Sequence, residues 1–161
     1  MSVRWMSEEE AWQMLASGNE GRLATVDAAG QPYITPLNYV LIERSIYFHC
    51  KKTGRKLDNI AQNQRVCFEV SRDVESFLAG PQPCGCATRY RTVIAFGKAR
   101  LIENDAEKAR VLDRLTAAVS DGRSFRNVTE EQAATCAVVE ICLDSISGKQ
   151  NYTPEGWRPE D

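Results

Sequence analysis

RLATVDAAGQPYITPLNYVLIERSIYFHC, residues 22–50, holds three apolar runs rich in β-branched and aromatic residues, separated by turns too short to contain a helix. Arg22–Asp27 reads as a strand, and Asp27-Ala28-Ala29-Gly30 supplies residues suited to a type I turn. Pro32–Ile42 reads as a second, longer strand. A two-residue turn at Glu43-Arg44 returns the chain into Ser45–Cys50, although it lacks the Asn-Gly or glycine chemistry that fixes such hairpins. Strands joined this closely pair antiparallel, because a parallel pair needs a long crossover.

The flanking sequence extends this pattern. Ser7 followed by Glu10 has capping-box spacing, and Trp12, Leu15 and Ala16 share one face of a helix expected over 7–17 and ending near Gly18. Arg65–Ser71 alternates Val66, Phe68 and Val70 with Cys67 and Glu69, as a half-buried strand does. Asp73–Ala87 reads as a loop carrying Gly80-Pro81-Gln82-Pro83 and Cys84-Gly85-Cys86. A long strand over Arg89–Ile102 follows, and Gly97 within it marks a bulge or a close backbone approach. Val111, Leu115, Ala118 and Val119 give Asp105–Val119 helical spacing, with Asn104 or Asp105 as the cap. A short helix over Thr129–Ala134, a last strand over Cys136–Ser145 and a polar tail over 148–161 complete the reading. Barrel strands within 22–102 and 136–145 make six, and closure into a small barrel would remove the exposed edges. The expectation is a mainly β, single-domain protein.

A chain of 161 residues can bury a sizeable core, and a net charge of −2 argues against a dedicated nucleic-acid binder. MSVRWMSEEE has no apolar core of signal-peptide length, so a cytoplasmic location is expected. The six cysteines are then reduced, and those in apolar runs act as small hydrophobes. Cys84 and Cys86 lack the second short-spaced pair of a four-cysteine metal site, so no metal is expected.

Chemistry concentrates in IYFHCKKTGRKLDNI, residues 46–60, where a strand runs into a helix start crowded by Lys51, Lys52, Arg55 and Lys56. Helix N-termini already present partial positive charge, so cations there conflict with the backbone unless an anion is bound. No GxGxxG or GxxxxGK[ST] is present, which removes the common nucleotide folds. His49 is the only histidine and no serine lies in a GxSxG elbow, which disfavours a hydrolytic triad.

PLNYV, YFH, GRKLDNI and RYRTV, in that order, resemble the flavin mononucleotide (FMN)-binding split-barrel proteins related to pyridoxamine 5′-phosphate oxidase, and within them the nitroimidazole-resistance branch. The resemblance covers Gly21–Ile102 closely and the rest by element order. It implies a six-stranded antiparallel Greek-key barrel, a homodimer, and FMN in clefts at the subunit interface. It places Thr35, Pro36, Leu37 and Asn38 beside the flavin ring, His49 and Cys50 along the cofactor, Arg55 and Lys56 on its phosphate, and Thr92 near the ring system. Lys51 and Lys52 are left as solvent-facing or steering charges.

The implied activity is reduction of a small oxidised substrate, nitroaromatics among the candidates, with His49 as a flavin or substrate contact. Vitamin B6 oxidation is disfavoured, because no histidine follows His49 to supply that enzyme's C-terminal Arg-x-His. Thr35 also stands where that enzyme has a phosphate-binding arginine, and Trp157-Arg158 could cover a partner's flavin. The alternatives are a non-catalytic flavin or haem binder, with His49 as axial ligand, and a nucleic-acid-binding barrel using Lys51–Lys56.

Overall fold

A computed structural model describes residues 2–78 and 86–152. In chain order the elements are β1 (Ser2–Trp5), α1 (Glu8–Ala16), β2 (Glu20–Val26), β3 (Pro32–Asn38), β4 (Val40–Ile42), β5 (Ser45–Cys50), α2 (Arg55–Gln62), β6 (Arg65–Leu78), β7 (Cys86–Leu101), α3 (Asp105–Val119), α4 (Glu130–Ala133) and β8 (Ala137–Tyr152). All strand pairs are antiparallel, in the order β3-β2-β6-β7-β8-β5-β4, with β1 added beside β8. The two ends of that order, β3 and β4, are consecutive in the chain, so the sheet curls back on itself around a core.

Local chemistry explains the turns. Ser7 accepts from the Glu10 amide while the Glu10 carboxylate accepts from the Ser7 amide, closing the capping box of α1. Between β2 and β3 the Asp27 carboxylate accepts from the amides of Ala29 (3.0 Å) and Gln31 (2.9 Å), and Gly30 takes φ +83°. Ile42 pairs with Ser45 across the two-residue turn, where Glu43 adopts a φ of 54° that glycine would adopt without steric cost.

Eight strands among the described residues replace the six expected. The Pro32–Ile42 run is broken at Tyr39, where the chain leaves its pairing with β2 and takes up pairing with β5. Tyr39 turns inward, fully buried, and its hydroxyl donates to the Leu15 carbonyl at 2.5 Å. A β-branched run gives no sign of such a handover, because each half is strand-like on its own. The expected loop over Asp73–Ala87 is partly strand: β6 continues to Leu78 and β7 begins at Cys86, with a register shift between Arg72 and Glu75. Likewise β8 runs on to Tyr152, so Gly148–Tyr152 of the expected tail is ladder, paired with both β1 and β7. Cys84, Trp157 and Arg158 lie outside the described residues.

Two apolar clusters flank the sheet. Leu23, Ile46, Phe48, Phe68 and Ile141 fill the barrel beneath Leu15 of α1 and Leu57 and Ile60 of α2. Ile102, Leu112, Leu115 and Val138 form the second cluster under α3. Val138 and Val139 point to opposite clusters, so this part of β8 is buried on both faces.

Burial pushes the Tyr39 phenol up to about 12, with the nearby Arg72 charge opposing. A phenol held above its ordinary value keeps its stabilising effect below pH ~10 and loses it as pH rises through about 12. Tyr39→Phe is expected to cost about 0.5–1.5 kcal/mol at neutral pH, since the Leu15 carbonyl still accepts from Gly18. Urea midpoints measured from pH 8 to 12 should fall less steeply in this variant than in the parent chain.

Candidate functional site

Helix α2 begins without a side-chain cap: Gly54, at φ 142°, is its N-cap residue, and no side chain bonds the free amides. The end is therefore open to an acceptor from outside the helix. Asn59 fixes the helix from below by donating to Thr25 Oγ1 of β2 at 2.9 Å, and Leu57 and Ile60 bury its other face.

Arg55 and Lys56, side by side at this start, are differently engaged. The Arg55 guanidinium reaches Asp27 Oδ2 at 3.3 Å and lies over the Tyr33 ring, 4.8 Å from its centroid. Lys56, half-buried, has no ion pair among the described residues, and its charge acts on the thiol of Cys50. Burial pushes that thiol up, with the Lys56 charge opposing and the proximity of Cys136 adding to the rise. The Asp27 carboxyl is held below its ordinary range, first by the Gln31 amide and then by Ala29 and Arg55, against the opposing effect of burial.

Tyr33 carries the site onto β3, because Tyr33, Thr35 and Leu37 share one face of that strand. Thr35 Oγ1 is buried without a hydrogen-bond partner. An orphaned hydroxyl along the strand from a basic, uncapped helix start is what an absent polar ligand would leave. Pro36 and Asn38 point to the other, exposed face.

Asn38 and His49 meet in a cleft of about 220 Å³ walled by Leu112, Leu115, Thr116 and Val119 of α3 and by Val128. Asn38 donates to the Asn19 carbonyl at 3.1 Å. Asn19 in turn donates to the Ala118 carbonyl at 3.4 Å, which ties the end of α3 to the barrel. Thr92 is not brought to either place. It lies on β7, three strands away from β3, and donates to Glu69 Oε1 at 2.9 Å within a cluster that includes Ser71. One chain thus brings Lys56 to Cys50 and Arg55 to Tyr33, two residues along β3 from Thr35, gathers Asn38 and His49 in a second place, and leaves Thr92 apart.

Sequence reasoning missed Asp27 and Tyr33 as partners of Arg55, and the α3 wall beside His49. Asp27 was legible as a turn residue, but its reach to a helix 28 residues later was not. Nothing in the α3 spacing distinguishes a cleft wall from an ordinary buried helix face. Cys86 is an exposed free thiol, and no group of potential metal ligands is found among the described residues. No helix among them is long and apolar enough to cross a membrane.

Residues 7–150 match the family model described as pyridoxamine 5′-phosphate oxidase. No curated protein matches the chain. Among solved structures, a candidate 5-nitroimidazole antibiotic resistance protein from Bacteroides thetaiotaomicron is similar at 20% identity and a TM-score of 0.77, over 93% of this chain and 89% of that one. An FAD-binding protein from Mesorhizobium loti is similar at 20% identity and a TM-score of 0.71, over 94% and 100%. An FAD and haem binding protein from Mycobacterium smegmatis is similar at 22% identity and a TM-score of 0.78, over 98% and 75%. At these identities the likeness is one of fold, the split barrel.

Proposed function

The chain belongs to the pyridoxamine 5′-phosphate oxidase family, and from that premise we propose that it is a single-domain, FMN-binding oxidoreductase acting on a small oxidised substrate. One observation carries the cofactor assignment: the uncapped start of α2, flanked by Arg55 and Lys56, lies beside β3 with its orphaned Thr35 hydroxyl. Free helix amides and two cations suit one terminal phosphate, which favours FMN over FAD. Arg55 offers a planar fork and Lys56 a compact charge, so the pair both orients and neutralises the phosphate. Thr35, with its hydroxyl free, hydrogen-bonds the ligand, and the backbone of Pro36–Asn38 lines the ring. When bound, the flavin supplies the electron transfer, and the protein holds and shields it.

The position of Thr92 supports a homodimer. Ile34, Ala24, Cys67 and Phe96 lie in register across β3, β2, β6 and β7 on the outer face of the sheet, with Ile34 63% and Phe96 53% exposed. Ile94 adds to the same face. An apolar row of this kind marks an interface, and a second copy covering it would bring its own Thr92 toward the site.

A haem reading relies on His49 as axial ligand, an exposed side chain beside a cleft of about 220 Å³. The absorption spectrum of the purified protein decides between them. A flavin spectrum is expected, and FMN rather than FAD should be released on denaturation. A haem band, or a colourless protein that takes up no added FMN, would overturn the assignment. Reduction of the bound flavin by a nicotinamide cofactor then separates an enzyme from a carrier.

A further inference from the structure

Arg110 and Arg114 stand four residues apart on α3, both exposed, and neither makes a hydrogen bond or ion pair among the described residues. Like charges at this spacing are neighbours on the helix surface and repel each other. The acids of the helix do not relieve this. Asp105 pairs with Lys108 at 2.8 Å, Asp113 accepts from the Val128 amide at 2.8 Å, and Glu107, one turn before Arg110, pairs with neither arginine.

The two arginines and Glu107 rim a cleft of about 440 Å³ whose other walls are Ile42, Tyr47 and Val111. It lies on a different face of α3 from the one beside His49, which presents Leu112, Leu115, Thr116 and Val119. Tyr47 is a fixed wall. Its hydroxyl donates to Glu140 Oε1 at 2.7 Å, and Glu140, only 6% exposed, also pairs with Arg100. The phenol proton is thereby committed, so a ligand meets the ring of Tyr47 and not its hydroxyl. Val111 is buried in the α3 cluster, and Ile42 and Tyr47 pack against that cluster.

This composition calls for an occupant with two parts. The volume falls within the ~300–1,000 Å³ of pockets that take drug-sized ligands, and an apolar body covers Ile42, Val111 and the Tyr47 ring. A negative group between the two guanidiniums relieves their repulsion, and their planar forks suit a carboxylate. Glu107, on the same rim, repels a second negative charge, which favours a monoanion. We propose that this cleft is a binding site for an aromatic monocarboxylate, held by Arg110 and Arg114 with its ring against Ile42, Tyr47 and Val111. The site does not rest on the flavin reading, since the cleft is lined by α3, β4 and β5 and by no residue of the α2 start among the described residues.

The test measures 2-naphthoate, its neutral counterpart 2-naphthalenemethanol, and acetate by equilibrium dialysis against the purified protein at pH 8 and low ionic strength, with FMN in excess. Exposed ion pairs are individually weak and screened by salt, so the two arginines together should favour naphthoate over the alcohol by at least about fivefold. Acetate, the same charge without the body, should bind at least about tenfold more weakly than naphthoate. Arg110→Gln combined with Arg114→Gln, both at exposed helix positions, should weaken naphthoate by at least about fivefold and leave the alcohol and FMN within about twofold. Equal binding of naphthoate and the alcohol, acetate binding as tight as naphthoate, or naphthoate binding that survives the double variant would overturn the proposal. So would a roughly tenfold loss of FMN affinity in that variant, which would assign the arginines to the flavin phosphate. A chain that takes up no FMN yet binds naphthoate through Arg110 and Arg114 overturns the flavin reading and leaves this site standing.

Discussion

Arg55→Ala combined with Lys56→Ala is expected to abolish FMN retention and leave the fold intact. Each charge-assisted hydrogen bond to a phosphate contributes about 1.5–3 kcal/mol, so losing both weakens binding on the order of 10²–10⁴-fold. The lower part of that range applies, because Arg55 divides its guanidinium between the ligand site and Asp27 at 3.3 Å. Lys56 has no such competitor among the described residues, so Lys56→Ala alone should cost more affinity than Arg55→Ala alone. Folding does not depend on either side chain: α2 is anchored by Leu57, Asn59 and Ile60, while Arg55 is exposed.

Asp27→Asn supplies the opposite sign. Both backbone amides of the turn bond Asp27 Oδ1, which asparagine keeps, while the charge facing Arg55 is removed. Affinity for FMN should rise, by about two- to fivefold for a partly exposed charge pair. Fluorescence titration of the apo protein measures all four variants, with circular dichroism and a melting curve to check the fold. Stoichiometric FMN in the purified double variant would show that the phosphate is held elsewhere.

The antiparallel order over Arg22–Cys50 was legible because a period of two and short turns leave few alternatives. The capping box of α1 was legible for the same reason, since a cap is a contact between residues close in sequence. What was not legible required knowledge of a distant partner. Tyr39 ends one strand and starts another because Leu15, 24 residues earlier, offers it a carbonyl. Polar residues in Asp73–Leu78 form strand because Cys86–Arg89 pairs with them, with Ser76 opposite Thr88 and Glu75 bonded to Arg89. β1 was invisible because four residues carry too little pattern, and it exists by pairing with the end of β8. The site divides along the same line. The electrostatic conflict at Arg55 and Lys56 could be read locally, whereas the α3 wall beside His49 is assembled only when β3, β5 and α3 converge.

Gly97→Ala is expected to be among the most destabilising single substitutions in the chain. A Cβ at this position would stand 2.3 Å from the carbonyl oxygen of Cys142 and 3.1 Å from a methyl of Ile141. The near atom is backbone of the adjacent strand, so no rotamer change relieves it and β8 must move away from β7. That movement acts where the β7–β8 register already shifts, between Phe96 and Gly97, in the middle of the sheet order. Overpacking alone costs about 1–3 kcal/mol, and each ladder hydrogen bond strained by the shift adds about 1 kcal/mol. A total of about 3 kcal/mol or more is a large part of the ~5–15 kcal/mol that holds a domain of this size. Gly122→Ala separates this contact from glycine's backbone freedom, because Gly122 has φ +76° and open space around its Cβ position. It should cost only the left-handed penalty, about 1–2 kcal/mol. Urea denaturation of the two variants beside the parent chain reads the difference. If Gly97→Ala lowers the midpoint no more than Gly122→Ala does, the two strands have room to separate at this point, and the bulge is a flexible joint and not a close-packed one.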